Sequence, residues 1–132
     1  MKYARMKKEK FSLQKRLKSF QYAFNGLQTL FREEPNAKIH LFIMLCVLIA
    51  GFVFRISVGE WIAVVLCIGL VIALEIINST LENMADFVSP EKHETIKKIK
   101  DLAAGAVLVG AIVSAIVGVI VFLPKGIGMF AN

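Results

Sequence analysis

Residues 102–123, LAAGAVLVGAIVSAIVGVIVFL, form a stretch of twenty-two residues without a formal charge. An α-helix of this length is about 33 Å long and can cross the hydrocarbon core of a bilayer. The composition of the whole chain agrees, because 57% of its 132 residues are hydrophobic. A soluble domain of this size could not bury so much apolar surface, so lipid must cover part of it. The stretch therefore predicts a membrane span.

Two further apolar stretches precede this one. Residues 39–54 carry no formal charge, although His40 lies near their start, and the run from about 60 to 81 holds Glu75. Because the spans extend beyond their apolar cores, we expect them at about 36–56, 59–83 and 101–123. The chain is predicted to be one all-α membrane domain over residues 1–132.

An amphipathic helix is predicted before the first span, at about 11–33, after a basic tail at 1–10. Its apolar residues recur every three or four positions, as on one face of a helix. They are Leu13, Leu17, Phe20, Phe24, Leu27 and Phe31. Basic residues flank this stripe, so we expect the helix to lie in the membrane interface, with its cations near anionic head groups. Glu33, Glu34 and Pro35 then interrupt it and turn the chain into the first span.

The distribution of lysine and arginine predicts the orientation in the membrane. Ten of the sixteen lie in residues 1–38 and four between 82 and 101, whereas the turn after the first span has only Arg55 and the C-terminal tail only Lys125. The N-terminus and the second loop are therefore expected to be cytoplasmic. The net charge of +6 follows mostly from this topology, and we expect no nucleic-acid partner. No apolar h-region follows the basic N-terminus at once, so no secretory signal is predicted.

Proline marks two expected helix ends. Ser89, Pro90 and Glu91 have the pattern of a helix N-terminus, so we expect a short helix to begin there and to merge into the third span near Asp101. Pro124 is expected to end that span.

Small residues recur at every fourth position of the third span. They are Ala106, Gly110, Ser114 and Gly118. Such a face allows close helix packing in lipid, and the partner is either another subunit or another helix of the same chain.

Polar residues inside the second span point to a functional site. Glu75, Asn78 and Glu82 are spaced by three and four residues, so they share one face of a helix. A carboxylate in a membrane helix costs about 2.5–3.5 kcal/mol on insertion scales, so two on one stripe indicate a polar site at the membrane surface. The other charged residues expected at this level are Glu34, Asp86, Lys100 and Asp101.

These residue types suit phosphoryl transfer. Carboxylate oxygens hold Mg²⁺, and the cation offsets the charge of a polyphosphate. A carboxylate deeper in the membrane suits a general base for a lipid hydroxyl. The chain contains no standard nucleotide-binding motif. Three alternatives stay open: charges that satisfy each other at helix ends, a small ion or proton carrier, and a non-enzymatic membrane anchor.

The polar residues form a pattern that resembles a known family. The motif ExxNSxxExxxD runs from Glu75 to Asp86, and KDxAAGAVL begins at Lys100. Together they resemble the small integral-membrane lipid kinases of the prokaryotic diacylglycerol kinase and undecaprenol kinase family. Segments outside these motifs, such as residues 33–40 and 51–61, are more similar to the undecaprenol kinases. The resemblance extends from about Leu13 to Pro124.

The resemblance implies a homotrimer in the bacterial cell membrane, in which each chain has three transmembrane helices and an N-terminal amphipathic helix. It implies that ATP and Mg²⁺ are used to phosphorylate a lipid hydroxyl. Undecaprenol is the expected acceptor, and diacylglycerol is the alternative.

Roles for individual residues also follow from the resemblance. Glu75 corresponds to the catalytic base, and Asn78 to an amide that orients the site. Glu34 and Glu82 correspond to metal ligands. The residues that correspond to nucleotide contacts are Lys15, Tyr22, Glu34, Glu82, Glu91, Lys92, His93, Lys100 and Asp101.

Overall fold

Three long apolar helices dominate the structure, a computed structural model that describes residues 12–131. The basic tail predicted at 1–10 lies outside the described residues. The described part forms α1 (Leu13–Glu33), α2 (Pro35–Val53), α3 (Val58–Val88) and α4 (Glu94–Phe130). Helices α2, α3 and α4 are long and apolar enough to cross a membrane. The all-α prediction with three candidate spans is therefore confirmed.

A single extended residue separates α1 from α2. Glu34 has φ −93° and ψ 113°, and its backbone N–H still donates to the carbonyl of Leu30, at 2.9 Å. Pro35 occupies the first position of α2, where its missing N–H costs no helical hydrogen bond. Leu30 and Ala37 are buried on either side of the break. The predicted interruption at Glu33, Glu34 and Pro35 is confirmed.

The end of α2 is a Schellman motif with an arginine in the left-handed position. Arg55 has φ 49°. Its N–H donates to the carbonyl of Phe52, and the N–H of Ile56 donates to the carbonyl of Gly51, at 3.2 and 3.1 Å. This pair of bonds satisfies the last carbonyls of the helix. The side chain of Ile56 is buried in an apolar cluster that also contains Val64 and Val121.

Helix α3 begins with a capping box and carries the polar residues on its buried face. The hydroxyl of Ser57 accepts a hydrogen bond from the N–H of Glu60, and the Glu60 carboxylate accepts one from the N–H of Ser57. The buried residues of α3 are Val64, Val71, Glu75, Asn78 and Ala85. Their spacing of seven, four, three and seven places them on one stripe. Two polar side chains thus lie in line with the packing face of an apolar helix.

Helix α4 differs from the sequence expectation at both ends. Ser89, Pro90 and Glu91 do not start it. The Ser89 hydroxyl donates to the carbonyl of Glu91 instead of accepting from a backbone N–H. The helix begins at Glu94, where Nδ1 of His93 accepts from the N–H of Thr95.

The predicted end at Pro124 is also wrong, because α4 continues through this residue to Phe130. A proline inside a helix removes one backbone hydrogen bond. Membrane helices tolerate this loss where neighbouring groups satisfy the freed carbonyl.

Helices α3 and α4 run antiparallel and form the most extensive helix pair. At one end, Nζ of Lys125 lies 3.2 Å from a carboxylate oxygen of Glu60. In the middle, a Cβ added to Gly110 would lie 2.6 Å from Cδ1 of Leu74. The glycine therefore permits close packing within the chain at this point. The residues of these two helices that were predicted for the functional site lie toward the other end of the pair.

Candidate active site

The largest fully buried side chain of the described part is a carboxylate. Glu75 is only 2% exposed, although it belongs to a helix that can cross a membrane. Its Oε1 lies 3.1 Å from Nε2 of His40 on α2. The ring is not oriented to complete a hydrogen bond, so Oε1 has no hydrogen-bond partner in the described structure. The contact is an ion pair when the imidazole is protonated.

Asn78 lies one turn beyond Glu75 and is also buried. Its Nδ2 donates to Oε1 of Glu82 at 3.4 Å, which orients the amide along the helix. The amide oxygen Oδ1 is buried and has no partner among residues 12–131. A pair of unsatisfied acceptors, on Glu75 and Asn78, therefore shares one face of α3.

Glu34 comes to this site from the break between α1 and α2. The hydroxyl of Ser79 donates to its Oε1 at 2.7 Å, across forty-five positions of sequence. The amide of Asn83 donates to the carbonyl of Ser79 at 2.8 Å. Glu34 and Glu82 both lie close enough to Glu75 to act on it electrostatically. The structure thus brings together Glu34, Glu75, Asn78 and Glu82, the residues predicted as base, orienting amide and metal ligands.

A lysine and an aspartate connect α3 and α4 at the same end. Nζ of Lys100 donates to both carboxylate oxygens of Asp86, at 2.8 and 3.0 Å. Both side chains are partly in solvent, so the pair contributes little to stability and can exchange for another partner. Lys100 is therefore placed to pair with a phosphate at a small energetic cost.

The loop between α3 and α4 borders an open cleft of about 590 Å³. The predicted nucleotide contacts along this cleft are Glu91, Lys92, His93, Lys100 and Asp101. Nδ1 of His93 is used as the cap of α4. Asp101 is exposed and lies 4.0 Å from Lys97, a surface pair.

Lys15 and Tyr22 lie in the first half of α1, and Tyr22 is exposed. The hydrogen bond between Ser79 and Glu34 joins α3 to the residue that follows α1. Nucleotide contacts by Lys15 and Tyr22 stay predictions.

Two contributors to the site, His40 and Ser79, were not predicted from the sequence. A titratable group in an apolar span is itself a signal of function. However, only the packing of α2 against α3 shows that His40 faces Glu75.

Comparisons with known proteins agree with this geometry. The sequence model of the prokaryotic diacylglycerol kinase family matches residues 21–122, a range that includes every predicted site residue except Lys15.

Among individual relatives, an undecaprenol kinase of Bacillus subtilis (strain 168) is 40% identical over 108 residues, which are 82% of this chain and 88% of the relative. A diacylglycerol kinase of Synechocystis sp. is 38% identical over 109 residues, 82% of this chain and 62% of the relative. A diacylglycerol kinase of Helicobacter pylori (strain J99) is 33% identical over 96 residues, 72% of this chain and 74% of the relative.

Proposed function

This chain belongs to the prokaryotic diacylglycerol kinase family and is a lipid kinase of a bacterial membrane, and we propose that its preferred acceptor is undecaprenol. The phosphoryl donor is ATP, as expected of a kinase. The observation that carries the residue assignment is the buried carboxylate of Glu75, which lies on the packing stripe of α3 beside three other polar groups of the site.

Glu75 acts as the general base in this proposal. The proton of the lipid hydroxyl passes to a carboxylate oxygen of Glu75, while the hydroxyl oxygen forms a bond to the γ-phosphorus of ATP. The bond from that phosphorus to the oxygen shared with the β-phosphate breaks, and ADP leaves with the electron pair. The unsatisfied Oε1 of Glu75 is an acceptor that a hydroxyl can satisfy. Positioning and electrostatic stabilisation supply most of the rate acceleration in such transfers.

Mg²⁺ fits the donors of this site, which are all oxygens. They are the carboxylates of Glu34 and Glu82 and the unpartnered amide oxygen of Asn78. Glu34 and Glu82 would hold Mg²⁺, which would offset the negative charge of the phosphates. Within residues 12–131, no group of three or more His, Cys, Asp or Glu side chains could hold a metal by itself. Mg²⁺ in kinases commonly takes one or two carboxylates and completes its shell with phosphates and water.

The nucleotide is proposed to occupy the cleft beside the loop between α3 and α4. Lys100 exchanges its Asp86 partner for a phosphate oxygen, which the exposure of that pair favours. The adenosine side is then held by Glu91, Lys92 and His93, and Asp101 lies beside Lys100 along the same cleft. Lys15 and Tyr22 approach from α1.

The orientation of the chain follows from the charges at the two ends of the helix bundle. Among the described residues, nine Lys and Arg lie in α1, at the start of α2, in the loop after α3 and in the first turns of α4, whereas Arg55 and Lys125 lie at the opposite ends of the spans. By the positive-inside rule, we infer that the site and the N-terminus face the cytoplasm, where ATP is available. Helix α1 is proposed to lie in that interface through its apolar stripe, which includes the exposed Leu17, Phe20 and Phe24.

We infer undecaprenol from similarity and not from the chemistry of the base. Undecaprenol and diacylglycerol both present a primary hydroxyl, so Glu75 serves either. Residues 33–40 and 51–61 resemble the undecaprenol kinases, and the relative with 40% identity carries that name.

A competition experiment tests the acceptor. The purified full chain is given undecaprenol and diacylglycerol at equal mole fraction in the same vesicles, with labelled ATP and Mg²⁺, and the two lipid products are separated and counted. Glu75→Gln is the matched control for background. We expect undecaprenyl phosphate to predominate. A clear preference for diacylglycerol would overturn the acceptor assignment and leave the kinase activity standing.

A further inference from the structure

His40 is the polar end of an apolar groove. The groove has a volume of about 260 Å³ and lies between α2, α3 and α4. Its wall is otherwise mostly aliphatic and aromatic, with Val47, Val71 and Phe122 among its residues. The imidazole is 22% exposed, whereas the side chain of Glu75 behind it is 2% exposed. Glu75 does not line the groove, so a group that approaches the carboxylate along the groove meets His40 first.

The charges around Glu75 require a positive or donating neighbour. The titratable groups that act on Glu75 are His40 from α2, Glu34 from the α1–α2 break and Glu82 from α3 itself. The two glutamates carry the same charge as Glu75. His40 brings a neighbouring N–H donor, whose Nε2 lies 3.1 Å from Oε1. A hydrogen bond to one lone pair of Oε1 fixes the direction of the carboxylate and leaves its other lone pairs free to accept a proton.

We propose that His40 is a positioning residue for phosphoryl transfer, whose Nε2–H holds the Glu75 carboxylate aimed at the incoming lipid hydroxyl. The proposal rests on the role of Glu75 as the base. It needs only a rotation of the ring, because Nε2 and Oε1 are already 3.1 Å apart. The acceptor hydroxyl then reaches the Glu75 carboxylate past the edge of the turned imidazole, while the chain of the lipid lies along the apolar wall.

Two substitutions separate the N–H of His40 from the volume of its ring. His40→Phe keeps an aromatic ring and removes the donor. His40→Gln places an amide N–H at about the distance of Nε2 from the backbone. We expect His40→Phe to lower kcat by about tenfold to a hundredfold, the range for a misaligned reacting group. The KM values for Mg-ATP and for lipid should change less than threefold, and His40→Gln should recover most of the rate.

The separation of kcat from KM, together with the rescue by His40→Gln, supplies a readout that a merely structural role would not move. His40→Asn, whose amide is too short to reach Glu75, should behave like the phenylalanine variant and serves if that variant does not fold.

The outcomes distinguish this proposal from the one on which it rests. Near-normal turnover in Glu75→Gln would overturn the base itself. If Glu75→Gln is inactive while His40→Phe and His40→Asn keep the wild-type kcat, the base stands and the role of His40 is wrong. Equal losses in His40→Gln and His40→Asn would also overturn it, because they would indicate packing alone.

Discussion

Two buried oxygens of the site have no hydrogen-bond donor in the described part of the chain, Oε1 of Glu75 and Oδ1 of Asn78. An unsatisfied buried acceptor costs about 1–3 kcal/mol. Folding alone does not explain why α3 carries two of them in sequence-adjacent turns. A substrate hydroxyl and a metal ion would each satisfy one, so this cost to the free protein is consistent with a site that is completed by its ligands.

Replacement of Glu75 by glutamine tests the base directly. Glutamine has almost the same volume but cannot accept the hydroxyl proton, so we expect turnover to fall by about 10²-fold or more. The affinity for Mg-ATP should change little, because the proposed nucleotide cleft is lined by Asp86 and later residues and not by Glu75. Turnover and nucleotide binding are measured on the same purified sample. Near-normal turnover would contradict the assignment.

Glu34→Gln and Glu82→Gln should each raise the Mg²⁺ concentration required for half-maximal activity. Each removes one negative oxygen ligand from a hard cation. Ser79→Ala is the control for Glu34, since it removes the 2.7 Å hydrogen bond and leaves the charge, and it should shift the Mg²⁺ dependence less. The measurement is a Mg²⁺ titration at fixed ATP. An unchanged midpoint in both glutamine variants would rule out ligation.

The polar residues of α3 could be placed from sequence because local spacing fixes the face they share. Glu75, Asn78 and Glu82 needed only the helical repeat. Their meeting with Glu34 followed from the family resemblance, and the hydrogen bond through Ser79 is seen only in the structure. His40 could not be paired with Glu75, because the axial offset between α2 and α3 depends on packing that no local pattern encodes.

Helix boundaries, too, could be predicted where neighbouring residues set them, and not where the rest of the structure does. The break at Glu34 and Pro35 depends on the restriction that proline places on its own neighbour, so sequence predicts it. The predicted helix start at Ser89 was wrong, because α4 begins at Glu94 and the side chain of His93 supplies its cap. The prediction that the last span ends at Pro124 was also wrong, since α4 continues through this residue.

Of the two glycines that flank the turn between α2 and α3, Gly51 is expected to tolerate substitution less well than Gly59. A Cβ at this position would lie 2.6 and 2.8 Å from ring atoms of Trp61, an aromatic side chain with little freedom to move. Gly51→Ala should therefore destabilise the protein by about 1–3 kcal/mol, the usual cost of overpacking. Gly59→Ala is the matched control, since nothing lies within 4 Å of its added Cβ.

Thermal unfolding of both variants in the same detergent measures the difference. The apparent midpoint should fall for Gly51→Ala and stay level or rise for Gly59→Ala, because alanine favours a helix over glycine. A Gly51→Ala midpoint at or above the wild type would show that Trp61 moves aside without cost.

The assembled protein is expected to be a homotrimer in lipid, as the family resemblance implies. The small-residue face of α4 is only partly used within the chain. Gly110 packs on Leu74, whereas a Cβ added at Gly118 would have no described residue within 4 Å. Gly118→Leu should therefore weaken a trimer if that part of the face meets another subunit, and leave the monomer fold intact. Cross-linking in lipid measures both, and a wild-type pattern that stops at monomer or dimer would count against the trimer.

The groove between α2 and α4 bears on how the acceptor lipid reaches the enzyme and therefore on the reaction rate. These two helices make few direct contacts, and the groove between them runs along the bundle. A lipid that enters sideways never leaves its leaflet, so it finds the enzyme by diffusion in two dimensions. The quantity that saturates the enzyme is then the number of acceptor molecules per membrane area. Dilution of the vesicles with inert phospholipid, at constant total acceptor and enzyme, should slow the reaction. Dilution of the same vesicles with the complete reaction buffer should not.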